Sequence, residues 1–177
     1  NNNIDVLNKN GEDWKVTLVD TGLHTMTGGR IKRVLPLIKE DDFLLTYGDG
    51  LSNVDLNKLL YFHKENRKIA TITTVSISNM KGVLDIDDSN VITSFREKEA
   101  TDEAVINGGY MVLNKKVFDY IEGDFMFEQE PMKKLAQAGE VVAYRHNGFW
   151  QCMDTKLEHD MLQEIWANNK AYWKKWH

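Results

Sequence analysis

Two aspartates stand out by their surroundings. Asp49 lies in YGDG, directly after the apolar run FLL at residues 43–45, and Asp154 lies in QCMDT, ahead of a periodic stretch. A carboxylate at the C-terminal end of a strand sits where open α/β sheets bind ligands. Flanking glycines would let a bulky charged ligand approach the backbone. Magnesium takes one or two carboxylates and fills its octahedron with phosphate and water, so two aspartates meeting at strand ends would suit it. Each also has a plain reading. Gly-Asp-Gly is good turn chemistry, and Asp154 or Thr155 could cap the helix that TKLEHDML opens.

Three further clusters could join them. In FREK, alternation along a strand puts Arg96 and Lys98 on one face and Phe95 and Glu97 on the other. A lysine there could hold a phosphate while a carboxylate reads hydroxyls; the alternative is a solvated charged edge. In NGGY, Asn107 to Tyr110, two glycines weaken a strand unless something approaches its backbone. The alternative is a bulge. In TGGRIKR, Gly28 and Gly29 precede Arg30, Lys32 and Arg33. Glycines and cations at a helix start could cradle anionic oxygens; the alternative is a loop and a solvated helix face.

Other chemistries fit poorly. DIDDSN at residues 85–90 lacks the glycine and glutamate of a calcium loop. The 5 histidines form no HExxH, and no G-x-S-x-G elbow or Gly-Lys-Ser/Thr phosphate loop occurs. The single cysteine, Cys152, excludes an internal disulfide and reads as a packing residue in a reducing, cytoplasmic setting. A net charge of −5 argues against a nucleic-acid partner. No apolar run approaches the ~20 residues of a membrane span, so no membrane partner is expected.

The elements that must position these residues follow from periodicity. The 177 residues suit one domain, with residues 155–177 as a C-terminal helix and aromatic tail. VTLV at residues 16–19 reads as a short buried strand. Ile31, Val34, Leu35 and Ile38 recur at helical spacing, interrupted by Pro36. Strands are expected at 43–47, at 70–77, in GVLDI, VITSFREK and AVINGGYMVLN, and in VVAYRH. Helices are expected around Leu56–His63 with Asn53 or Asp55 as cap, at 115–122, at 129–138 with Pro131 in the first turn, and at 155–169. Early alternation of strand and helix gives a parallel α/β core, and the later hairpins make the sheet mixed. The opening NNNIDVLNKNGEDW, without a methionine or an early strand, reads as the start of a C-terminal portion of something longer.

In order, LVDTG, MTGGRIKRV, FLLTYGDGLSNVDL, VITSFREK, INGGYMVLN, FEQEPMKKLAQAGEVVAY and GFWQCMDT resemble the sugar-1-phosphate nucleotidyltransferases, from about residue 13 to the C-terminus. The resemblance implies a Rossmann-like α/β fold with a mixed, mostly parallel central sheet flanked by helices, its N-terminal nucleotide-binding part missing. It implies a magnesium-dependent transfer, nearest to members that join CTP and α-D-glucose 1-phosphate into CDP-glucose and pyrophosphate. It further implies supply of nucleotide sugars for deoxysugar and O-antigen polysaccharides, and a homo-oligomer. By motif match, Asp49 and Asp154 would hold the metal and Lys98 the sugar's phosphate. Glu97, Asn107, Gly108 and the backbone of Gly82 would line the sugar site, and Arg30 would touch the nucleotide.

The family's signature G-G-x-G-T-R and its following Lys-Pro lysine are absent, so these residues should hold the sugar and metal side and only part of the nucleotide side. Glu99 stands where the family usually has proline, and Pro36 interrupts a helix that is normally continuous. Rival readings are a thymidylyl- or uridylyltransferase, a non-catalytic binding subunit of the same fold, and a glycosyltransferase with an acidic metal motif.

Overall fold

The computed structural model describes residues 15–77, 83–86, 92–96 and 104–175. Four strands form the central sheet in the order β1 (Asp42–Thr46), β6 (Ala104–Asn114), β3 (Ala70–Ile77), β7 (Val141–His146). β1, β3 and β7 run the same way and β6 runs against them. The described sheet is thus mixed, as expected, with three of its four strands in one sense; because β6 is inserted between β1 and β3, the parallel ladder is β3–β7. Two small antiparallel pairs flank it: β2 (Gly50–Ser52) with β8 (Trp150–Cys152), and β4 (Val83–Ile86) with β5 (Ile92–Arg96).

Alternation along the strands separates two packed layers. On one face Met111 and Leu113 of β6 meet Ile31 of α1 (Thr27–Val34), Val117, Phe118 and Ile121 in and after the 3-10 turn Lys115–Tyr120, and Phe127 and Leu135 at α3 (Glu130–Gln137). On the other, Thr71 lies opposite Val112, and α2 (Leu56–Asn66) covers them with Leu59 and His63, whose Nδ1 lies 2.8 Å from Thr71 Oγ1. Phe62 meets Tyr144 of β7 edge-on at 5.4 Å. The central strand explains its own composition. β-branched ATITTVSI fits a pleat buried on both faces.

Asp55 caps α2, accepting from the N–H groups of Asn57 and Lys58. Pro36 shortens the first helix as its missing donor requires: α1 stops at Val34 and continues only as the 3-10 turn Leu35–Leu37. VTLV, in contrast, forms no strand. Val16 and Leu18 are 71% and 80% exposed, and β propensity has nothing to act on without a neighbouring strand. The aromatic tail folds back on its own chain, with the Trp173 and Tyr172 rings tilted against Phe149 at 5.3 and 5.4 Å; Trp176 lies outside the described residues. Among the described residues no helix is long and apolar enough to cross a membrane.

Candidate active site

The site is built where β1 stops. Residues 47–49 turn away from the sheet, and Gly50 opens β2 opposite Cys152 of β8. One more hydrogen bond extends this ladder, Met153 N–H donating to the Asp49 carbonyl at 2.9 Å. It sets Asp49 and Asp154, remote in sequence, on one cavity of about 330 Å³, whose walls include Thr46, Tyr47, Asn107, Gly108 and Trp150. Both aspartates are exposed. Three-residue strands have almost no pattern, so β2 and β8 were invisible in the sequence although they make the convergence.

Both readings of NGGY are realised together. Ile72 faces Met111 and Thr74 faces Asn107, so the strand bulges across Gly108–Tyr110. The bulge is filled from outside. Trp150 Nε1–H donates to the Gly108 carbonyl at 2.7 Å, and Tyr110 O–H donates to the Gly50 carbonyl at 2.7 Å. Gly109, at φ +78°, lies under the Tyr47 ring, where a Cβ would come within 2.9 Å of a ring carbon. Asn107 is held by its Oδ1, which accepts from Gly109 N–H at 2.9 Å. The sequence signalled that something approaches the glycines; that it is Trp150 and Tyr47 only the fold decided.

The capping question at Asp154 resolves in favour of its neighbour. Thr155 caps α4 (Lys156–Ala167): its Oγ1 accepts from Glu158 N–H, and Glu158 Oε2 accepts from the Thr155 and Asp154 N–H groups at 2.8 and 2.9 Å. This reciprocal box leaves the Asp154 carboxylate free of capping duty. Glu158 is held below the usual carboxylate range, first by the Thr155 hydroxyl and then by the Thr155 N–H. Cys152, Asp154 and Glu158 present ligand atoms within 4.8 Å of one another. Burial, then the neighbouring Asp154, pushes the Cys152 thiol up to about 11, so it is a neutral wall residue and no nucleophile.

Tyr47 closes the other side. Its hydroxyl donates to Glu128 Oε1, and Glu128 Oε2 accepts from Thr27 Oγ1 at 2.8 Å. Burial, then the Glu128 hydrogen bond, raises the phenol well above its usual range, while Asn107 works against the shift. This links the end of β1 to the start of α1. TGGR does lie at a helix start, but the Gly28 N–H and the Thr27 hydroxyl are engaged within the chain. Met26 N–H donates to Asp124 Oδ1 at 2.9 Å, Gly28 N–H to the Phe125 carbonyl at 3.0 Å, and Phe127 N–H to Thr27 Oγ1 at 2.8 Å. Gly28 and Gly29 permit this contact; a Cβ would meet Phe125 O at 2.6 Å or Asp124 Oδ1 at 2.2 Å.

Arg30 is outside the cavity wall. Its guanidinium donates to Thr21 Oγ1 at 2.7 Å and the Leu23 carbonyl at 3.1 Å, and Arg33 donates to the Thr21 carbonyl and Thr25 Oγ1. Both arginines thus hold the 21–25 turn. Gly82, Glu97 and Lys98 lie outside the described residues. Asp49, Asn107, Gly108 and Asp154 are brought together. Two solvent-facing carboxylates on one cavity offer the hard oxygen donors that magnesium prefers, so the residues present fit that ion.

A family model described as nucleotidyl transferase matches residues 9–174. A glucose-1-phosphate cytidylyltransferase of Salmonella typhi is 48% identical over 177 residues, covering 99% of this chain and 68% of that one. A D-glycero-alpha-D-manno-heptose 1-phosphate guanylyltransferase of Campylobacter jejuni is 32% identical, covering 62% of this chain and 50% of that one. The crystal structure of HddC from Yersinia pseudotuberculosis superposes with a TM-score of 0.59 at 25% identity, covering 80% of this chain and 63% of that one. The chain thus spans about two thirds of the length of the Salmonella relative and half that of the Campylobacter one. It belongs to the nucleotidyl transferase family.

Proposed function

We propose that this chain carries the sugar and metal side of a glucose-1-phosphate cytidylyltransferase, joining CTP and α-D-glucose 1-phosphate into CDP-glucose and pyrophosphate. The observation that carries the reading is the meeting of Asp49 and Asp154 on the cavity that Asn107 and Gly108 also line. The choice of cytosine rests on the 48% identity to the Salmonella enzyme, since a more distant relative is named for a guanylyl transfer.

Asp49 and Asp154 would hold Mg²⁺, which when bound supplies positive charge against the crowded phosphates. The chain's own residues would position the reactants. Asn107 and the backbone at Gly108, with Glu97 and the Gly82 backbone, hold the sugar hydroxyls. Lys98 holds the sugar's phosphate; Arg30, engaged with Thr21 and Leu23, is left out of the site. Trp150 and Tyr47 wall the cavity beside them. A phosphate oxygen of the sugar phosphate forms the new bond to the α-phosphorus. The bond from that phosphorus to the bridging oxygen breaks, and its electron pair leaves with pyrophosphate. Positioning and electrostatics then supply most of the rate. The product would feed nucleotide-sugar chemistry such as deoxysugar and O-antigen assembly, and the active form would be a homo-oligomer.

The test is a thermal-unfolding titration with CDP-glucose and magnesium, wild type beside Asp49→Asn. Ligand at a hundredfold excess over Kd should stabilise by about 2.7 kcal/mol, and the variant should gain less. A melt indifferent to ligand would overturn the reading. With the glycine-rich signature absent from these 177 residues, turnover by the chain alone should be weak. Prompt pyrophosphate release would contradict that.

A further inference from the structure

A second hollow, of about 420 Å³, opens at the other end of the sheet. Asp42 begins β1 there and Asn114 ends β6, whereas the acidic cavity lies beyond Thr46. Four cations line it: Lys64, Arg67 and Lys68 from the end of α2 and the residues after it, and Lys116 from the turn after β6. This is a local excess of positive charge in a chain of net charge −5. Among the described residues only Lys68 has an ion-pair partner, Glu140 at 3.9 Å, while Lys64, Arg67 and Lys116 have none. The other acid in the wall is already engaged. Asp42 Oδ1 accepts from Asn114 Nδ2 at 2.7 Å and lies 3.5 Å from Nε2 of the buried His63.

Arg67 sharpens the point. It ends α2 in the left-handed region, φ +52°, where glycine is the residue that carries no strain. An arginine held there keeps a guanidinium at the hollow in spite of its backbone. Guanidinium binds phosphate oxygens in pairs, and lysines add point charges. Cations at a helix C-terminus also complement the helix dipole, but Lys116 belongs to another element and lines the same hollow.

We propose that this hollow binds a small polyphosphate anion, either free pyrophosphate or the phosphate end of a nucleotide, independently of the acidic cavity. The volume suits such an anion, and the mixed cations suit its several oxygens.

The experiment is isothermal titration of the 177-residue chain, carrying Asp49→Asn and Asp154→Asn and kept in EDTA, with pyrophosphate in one arm and CTP in the other. Saturable binding that weakens with added salt is expected. Tighter binding of CTP would identify a nucleotide, and equal or tighter binding of pyrophosphate would identify the free anion. Lys116→Gln and Arg67→Gly should each lower affinity at least tenfold. Arg67→Gly relieves the backbone, so it should melt at a higher temperature while binding less, which a folding defect cannot imitate. No saturable binding, or binding unchanged in both variants, would overturn the proposal and leave Lys64, Arg67 and Lys68 serving only the carbonyl end of α2.

Discussion

At the scale of the residue, small side chains do the decisive work by their absence. Gly28→Ala should raise helix propensity by about 1 kcal/mol, yet its Cβ would meet the Phe125 carbonyl at 2.6 Å. That obstacle is backbone, so the clash should cost about 1–3 kcal/mol and the net effect should be a lower melting temperature. A rise in melting temperature would mean that the 124–127 segment yields easily. Tyr47→Phe removes only the hydroxyl bonded to Glu128. The loss should be about 1 kcal/mol, readable by chemical denaturation, with the secondary structure unchanged. A neutral result would show that water replaces this bond without cost.

At the scale of the element, α4 separates two roles that adjacent residues could have shared. Thr155 and Glu158 form the cap, so Thr155→Ala should cost about 1 kcal/mol of stability. Asp154→Ala should leave the melt nearly unchanged while abolishing its dependence on magnesium and CDP-glucose. Reversed outcomes, with Asp154 governing the melt and Thr155 the ligand response, would return Asp154 to the cap and overturn its proposed role as a metal ligand. The sequence had both alternatives because Asp and Thr are good caps and stand side by side. The choice depended on which oxygen the first-turn N–H groups reach.

At the scale of the whole molecule, exposed carboxylates tie stability to acid. Glu122 is held below its usual range by Lys134, Glu158 by Thr155, and Asp160 by Lys156 and then His159. A carboxylate whose folded pKa lies below its unfolded value contributes stability above the unfolded value, and loses it as pH falls through the folded one. The chain should therefore melt progressively lower from about pH 5 downward. Glu158→Gln should flatten that decline, as melts between pH 6 and 3 would reveal; an unchanged slope would assign the decline to other groups. The same scale decides the sheet: β6 reverses between β1 and β3, so three strands of one sense share a single parallel ladder.

The sequence by itself determined the element types with long or strongly punctuated signals. β3 declared itself through its β-branched run, α2 through Asp55, the short first helix through Pro36, and α3 through Pro131. These are local preferences, acting over one or two turns of chain. It also marked Asp49, Asn107 and Gly108, because glycines beside polar groups are seldom neutral, and Asp154, because it stands between an aromatic stretch and a helix start. It overcalled VTLV, where propensity had no partner strand. Only the tertiary structure decided that Asp49 and Asp154 share a cavity, that Trp150 and Tyr47 fill the space above the glycines, and that the TGGR glycines face Asp124 and Phe125. It also gathered Lys64, Arg67, Lys68 and Lys116 around one hollow. The physical reason is separation along the chain. Each of these contacts joins residues whose nearness is set by strand order and by a three-residue ladder, and neither leaves a periodic trace in the sequence.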